Sequence, residues 1–226
     1  LSDLKSGVIV EDSDVGERAA RATGWPVLRV SGPEDVTLGA VTRALGEPWV
    51  NIVIPMAGHG SRFAKAGYKL PKPLIDVDGR PMIQVVIEDF AAVPGAHFIF
   101  AVQTQHIRDH GVDETLKRLA PGCDIVEIHE VTEGAACTVM LCDRYIDPDL
   151  PLMTANSDQK IVWNPECFFE AMHSADGGIL TFTASDPKWS FAKTETDTSP
   201  VVVQVAEKQV ISNQQSLVRW NPTSTR

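Results

Sequence analysis

The chain has 226 residues, 43% of them apolar, and a formal net charge of −10. That length suits one large α/β domain, or one domain plus a fragment. The acidic balance excludes a general nucleic-acid backbone binder, which needs a basic face, and no stretch approaches the roughly 18 apolar residues of a membrane span.

In chain order, GVIV (7–10) reads as a short buried strand, EDSDVGERAARATG as a helix ending at Gly24, and PVLRV as a second strand. PEDVTLGAVTRAL follows as a helix with Pro in its first turn. Gly46–Glu47–Pro48 breaks the pattern and sets a boundary, with 1–46 as a β-α-β-α extension. The chain lacks an initiator Met, which fits a piece trimmed or cut from something longer, and LSDLKSGVIVEDSD has neither the basic flank nor the apolar core of a signal peptide.

From Trp49 the pattern restarts. WVNIVIP is a near-continuous apolar run, as expected of a parallel strand covered on both faces. PLIDVDGRP reads as a short strand and turn, and Pro81 opens a helix over MIQVVIEDFAAV. HFIFAVQ (97–103) is a strand, and the stretch to Leu119 is helical. DIVEIHE alternates as a strand, GAACTVMLCDRYI (134–146) is a helix, and PLMTANSD is a strand running into a loop. PECFFEAMHSA is a helix, and GGILTFTAS and VVVQVAEK are strands. Strands alternating with helices give an α/β fold: a mostly parallel, Rossmann-like open sheet with helices on both faces, spanning 49–211. Residues 212–226 are polar, lack periodicity and read as an irregular tail.

Cys123, Cys137, Cys142 and Cys167 form no C-x-x-C pair and match no zinc spacing, so they read as reduced thiols in a cytoplasmic protein. His106 and His110 lie four apart with no third ligand and read as a solvated helix face.

The chemistry concentrates in PMAGHGSRFAKAGYKLPKPL (55–74). In open α/β sheets ligands bind at the C-terminal ends of strands, and Gly58 and Gly60 sit just past such an end. Glycine lets backbone N–H groups approach a phosphate closely. Arg62 can hold phosphate oxygens through its planar fork. Lys72 lies between Pro71 and Pro73, which stiffen its backbone and lower the entropy cost of aiming it. The third position is Phe63, so this is not G-x-G-x-x-G, and no G-K-[ST] follows, so it is not a P-loop.

The joint pattern GHGSRF followed by PKPLIDVDGRPMI resembles the sugar-nucleotide pyrophosphorylases, the nucleotidyltransferases that join sugar 1-phosphates to nucleoside triphosphates. The resemblance implies Arg62 and Lys72 as catalytic residues, and nucleotide contacts from Ala57, Gly58, Gly60 and Ser61. Gln103 or Gln105 would read the base edge, and Gly134, opening the TEGAACTV turn, would let the nucleoside pack against backbone. Asp158 in TANSDQ stands where the family places a magnesium-binding aspartate, so Mg2+ is the implied cofactor. Glu207 and Lys208 in VAEK would take the sugar hydroxyls and the sugar phosphate, although Gln209 replaces the family's usual proline. DPKWSFAK resembles a capsule- or lipopolysaccharide-type branch, which implies surface-polysaccharide synthesis.

The family's second carboxylate has no counterpart here, and SNQQSLVRWNPTSTR matches none of its later sheet. Transfer to phosphocholine or a polyol phosphate, or a silent nucleotide-binding module, stand as alternatives. The expected partners are a nucleoside triphosphate and a sugar 1-phosphate, with no nucleic acid and no membrane, and self-association left open. VIVEDSDVGERAARATG resembles the late part of haloacid-dehalogenase-like phosphatases, with Glu11 and Asp12 as the acidic pair, but the D-x-D nucleophile motif is absent. That segment would then be the end of an upstream phosphatase domain.

Overall fold

The computed structural model describes residues 7–36, 38–45, 50–58, 60–90, 93, 95–172, 175–183, 185–196 and 199–221. The expected break at Gly46–Pro48 and the last residues of the tail lie outside this set. The chain forms two compact units, Leu1–Val50 with Val93–His97, and Asn51–Ala92 with Phe98–Arg226.

The first unit holds β1 (Ile9–Glu11), α1 (Asp14–Arg21), β2 (Val27–Arg29) and α2 (Leu38–Leu45). β1 and β2 pair in parallel, Ile9 opposite Val27. Ser13 caps α1 by accepting from Gly16 N–H at 3.1 Å, the usual reason a helix starts after a serine.

The second unit is built on a sheet of β3 (Val50–Pro55), β6 (Ala96–Gln103), β7 (Asp124–Ile128), β8 (Leu152–Ala155), β9 (Gly178–Thr183), β10 (Ser190–Thr194), β11 (Val202–Glu207) and β12 (Gln214–Asn221). A small hairpin, β4 (Asp76–Val77) with β5 (Arg80–Pro81), turns through Asp78 and Gly79, both at positive φ. That is the geometry an Asp-Gly pair favours. The helices are α3 (Ser61–Lys65), α4 (Met82–Asp89), α5 (Thr104–His110), α6 (Val112–Leu119), α7 (Ala135–Met140) and α8 (Pro165–Met172).

Strand order is β11-β10-β12-β8-β3-β6-β7, with β9 also pairing β12. The block β8-β3-β6-β7 is parallel, as the sequence predicts for this α/β fold. Val50, Ile52, Val53 and Ile54 are fully buried, as a two-sided strand requires. Buried Asn51 is the exception in that run. Its amide donates to Asp147 O at 2.9 Å and accepts from Asp147 N–H at 3.1 Å, clipping β3 to the turn before β8. A buried amide without such partners would be costly.

Two sequence expectations need correction. The supposed irregular tail contains β12, which pairs antiparallel with β9 along Gln214–Trp220 and with β8 along Val218–Asn221. Main-chain ladders with neighbouring strands hold it there, and these need no apolar alternation in the strand itself. The sheet is therefore mixed, with β9, β10, β11 and β12 all in antiparallel pairs. The helical stretch expected to run to Leu119 is also two helices, broken at Gly111, which adopts φ +59.

Candidate active site

β3 ends at Pro55 and delivers Met56 and Ala57, both buried, to the glycine loop. Gly60 adopts φ +57, a left-handed conformation that favours glycine. A Cβ there would meet Lys72 Cβ at 3.6 Å, an ordinary contact, so the cost of replacing Gly60 is conformational rather than steric. Gly60 O then accepts from Phe63 N–H at 2.9 Å and Ala64 N–H at 3.2 Å, and Ser61 opens the short helix α3.

Lys72 begins a 3-10 turn of three residues, Lys72–Leu74, closed by Leu74 N–H donating to Pro71 O at 2.8 Å. Pro71 and Pro73 fix the backbone on either side, and Pro73 is buried. The ammonium sits 5.7 Å from the centre of the Phe63 ring and 2.5 Å from Asp158 Oδ2. Asp158 lies three residues past the end of β8, in a turn.

A pocket of about 310 Å³ opens here, and Gly58, Gly60, Lys72 and Gln103 all line it. With Gln105, the other base-edge candidate, five of the candidate nucleotide-site residues line this pocket, whereas Asp158 is not among its lining residues. The backbone of Arg62 lies in α3, but its side chain is outside what the structure describes.

Gln103, the base-edge reader that the resemblance implies, is tied to the glycine loop in this structure. Its Nε2 donates to Ala57 O at 2.8 Å and Gly58 O at 3.0 Å. The end of β6 is thus stapled to the glycine loop, and both donors of that amide face main-chain carbonyls.

Part of the lining was not legible in the sequence. His106, Asp109 and His110 on α5 line the same pocket; His110 is exposed, as a solvated face requires, and that reading is corrected only for the half-buried His106. His106 Nδ1 is buried without a hydrogen-bond partner. Burial, and next the nearby His110, hold this imidazole below its ordinary pKa of 6.5. The i,i+4 spacing was visible in the sequence, but nothing in it said which way that face would turn.

Gly134 caps α7 in an extended conformation, and its carbonyl accepts from Thr132 Oγ1 at 3.0 Å and Thr138 Oγ1 at 3.2 Å. Neither Gly134 nor the Glu207–Lys208 pair is among the residues lining the pocket with Lys72. Lys208 turns the chain at φ +53, and its ammonium pairs with Glu207 of its own strand end at 2.8 Å, both side chains exposed.

For magnesium, Asp158 offers the hard oxygen donor that such an ion takes. Among the described residues no three His, Cys, Asp or Glu side chains gather as a metal site. One carboxylate still fits a dication that arrives on a triphosphate, because magnesium commonly uses one or two carboxylates plus phosphate oxygens.

A strand-end glycine loop, a proline-braced lysine and a carboxylate on a parallel block define a nucleotidyltransferase-type α/β fold. Comparison with known proteins agrees. No family model matches the chain. It is 28% identical over 165 residues to a mannose-1-phosphate guanyltransferase of Candida albicans, covering 70% of this chain and 45% of that protein. It is 27% identical over 129 residues to the UTP–glucose-1-phosphate uridylyltransferase YngB of Bacillus subtilis, covering 49% and 43%. Among solved structures, a nucleoside-diphosphate-sugar pyrophosphorylase from Vibrio cholerae matches with a TM-score of 0.63 and 31% identity, over 76% of this chain and 73% of that one. The chain belongs to the sugar nucleotidyltransferase family. It spans less than half the length of these two curated relatives. Among the described residues, no helix is long and apolar enough to cross a membrane.

Proposed function

We propose that this chain carries the nucleotide-handling half of a sugar-1-phosphate nucleotidyltransferase. A nucleoside triphosphate would settle across the Gly58–Gly60 loop, and a sugar 1-phosphate would displace pyrophosphate from it. The observation that supports this most is that the glycine loop and the proline-braced Lys72 line one pocket.

The physical problem is bringing two polyanions together. The loop N–H groups donate to phosphate oxygens without a desolvation penalty for charge, and Lys72 supplies positive charge from a stiffened backbone. A sugar phosphate oxygen attacks the α-phosphorus in line, a new P–O bond forms, and the bond to the β-phosphate bridging oxygen breaks as pyrophosphate leaves. No covalent enzyme intermediate is required. Asp158 would hold a magnesium ion, which supplies neutralising charge to the phosphates when bound. Gln103 keeps the loop in shape through Ala57 O and Gly58 O. Arg62, Ser61, Gly134, Glu207 and Lys208 remain assigned by resemblance, the last two to the sugar phosphate. A role in surface-polysaccharide synthesis within the cytoplasm belongs to the same proposal.

The test is a matrix of nucleoside triphosphates against sugar 1-phosphates, phosphocholine and a polyol phosphate, scored by pyrophosphate release. Release that requires a sugar 1-phosphate supports the reading. Triphosphate binding with no release from any acceptor would make the chain a silent binding module. Lys72→Ala should lower turnover by about 10²–10³, the scale for one preorganised electrostatic donor.

A further inference from the structure

The cation that this reaction needs is already engaged. Lys72 Nζ lies 2.5 Å from Asp158 Oδ2, and the two side chains are only 25% and 36% exposed. Both ends of the pair are anchored. Pro71, Pro73 and the 3-10 turn brace Lys72. The segment holding Asp158 is tied down on its far side, where Ile161 N–H donates to Asp89 Oδ2 at 2.6 Å and Trp163 Nε1 donates to Asp89 O at 2.8 Å. Two restrained groups lose little further entropy in meeting, unlike a pair of free surface chains.

We propose that the Lys72–Asp158 pair is a selectivity latch. It withholds Lys72 from bare polyphosphate anions and yields it to a triphosphate that carries a divalent cation. The inference rests on the triphosphate reading above and adds to it a rule about which form of the ligand is admitted. Any phosphate that takes Lys72 strips Asp158 of its partner. If the anion comes alone, a carboxylate is left uncompensated beside several negative oxygens, and like charges at this range in a partly buried site repel strongly. If the ligand brings a dication, Asp158 exchanges an ammonium for that ion, and every charge stays paired through the exchange. The same aspartate therefore opposes binding in one case and supports it in the other.

The test is calorimetry on the full chain, titrating ATP, GTP, CTP and UTP separately, with EDTA in one series and with magnesium in the other, and comparing wild type with Asp158→Asn. The asparagine keeps the size of the side chain and removes its charge. For the tightest-binding nucleotide, wild type should bind about tenfold or more weakly in EDTA than with magnesium. In Asp158→Asn, binding in EDTA should tighten about fivefold or more, and the magnesium advantage should collapse. Without any ligand, Lys72 should also acylate faster in Asp158→Asn than in wild type, read by mass spectrometry on protein of unchanged melting temperature. Binding in EDTA that is unchanged or weaker in the variant would overturn the latch, as would an unchanged acylation rate. If wild type binds no triphosphate in either series, the triphosphate reading itself fails and the latch falls with it. That outcome differs from a latch failure, in which magnesium-dependent binding by wild type persists.

Discussion

Gln103→Met keeps the length of the side chain and removes its two donors. In the structure those donors satisfy Ala57 O at 2.8 Å and Gly58 O at 3.0 Å. Each net hydrogen bond is worth about 0.5–1.5 kcal/mol, and a carbonyl left buried and unpaired costs about 1–3 kcal/mol. Ala57 is 4% exposed, so its carbonyl has little access to water, whereas exposed Gly58 can rehydrate. The Gly58 bond therefore contributes little, and the loss should be about 1–2 kcal/mol, set mainly by Ala57. For a chain of this size that is a fall in melting temperature of roughly 3–6 °C. The loop should also lose its preset shape, so triphosphate affinity should fall for all bases alike. Thermal unfolding read together with calorimetry against several nucleotides separates the outcomes. An unchanged melting temperature with a reordered base preference would refute the staple and support Gln103 as a reader of the base edge.

Asn51→Ala removes a buried clip between β3 and the turn before β8, and should cost about 2–4 kcal/mol in urea unfolding; a change under about 0.5 kcal/mol would contradict the clip. His106 has its folded pKa lowered from 6.5 by burial first and by His110 second. The unfolded chain is then the stronger proton binder, so stability is complete above about pH 6.5 and is lost as pH falls toward the folded value. Unfolding free energy should drop between about pH 7.5 and about pH 5.5, and His106→Gln should flatten that slope; equal slopes would contradict the burial argument. Burial pushes the Cys142 thiol up to about 11, so a thiol reagent at neutral pH should label exposed Cys137 and Cys167 first and reach Cys142 only on unfolding. Rapid labelling of Cys142 in the native protein would show that its position is open.

Some of this was legible from residues alone because local physics fixes it. The Val50–Ile54 run could only be a covered strand, Asp78-Gly79 carried its own turn geometry, and two prolines around Lys72 declared a braced side chain. The rest depends on what meets what across the chain. β12 is held by ladders with β8 and β9, and QQSLVRWN shows no sign of them. Lys72 and Asp158 were each visible as functional candidates, but their contact is made only by the parallel pairing of β3 and β8 and the turns beyond. α5 showed two histidines on one face without showing that the face lines a pocket. Gln103 stood at the right strand end, and its hydrogen bonds to the glycine loop could not be read from the sequence.

The most direct measurement is a crystal structure with magnesium and an α,β-methylene nucleoside triphosphate, which cannot release pyrophosphate. It should place the phosphates against the main-chain N–H groups between Gly58 and Ser61, with Lys72 Nζ moved off Asp158 and onto a phosphate oxygen. Phosphates seated elsewhere, with Lys72 still paired to Asp158, would contradict the account.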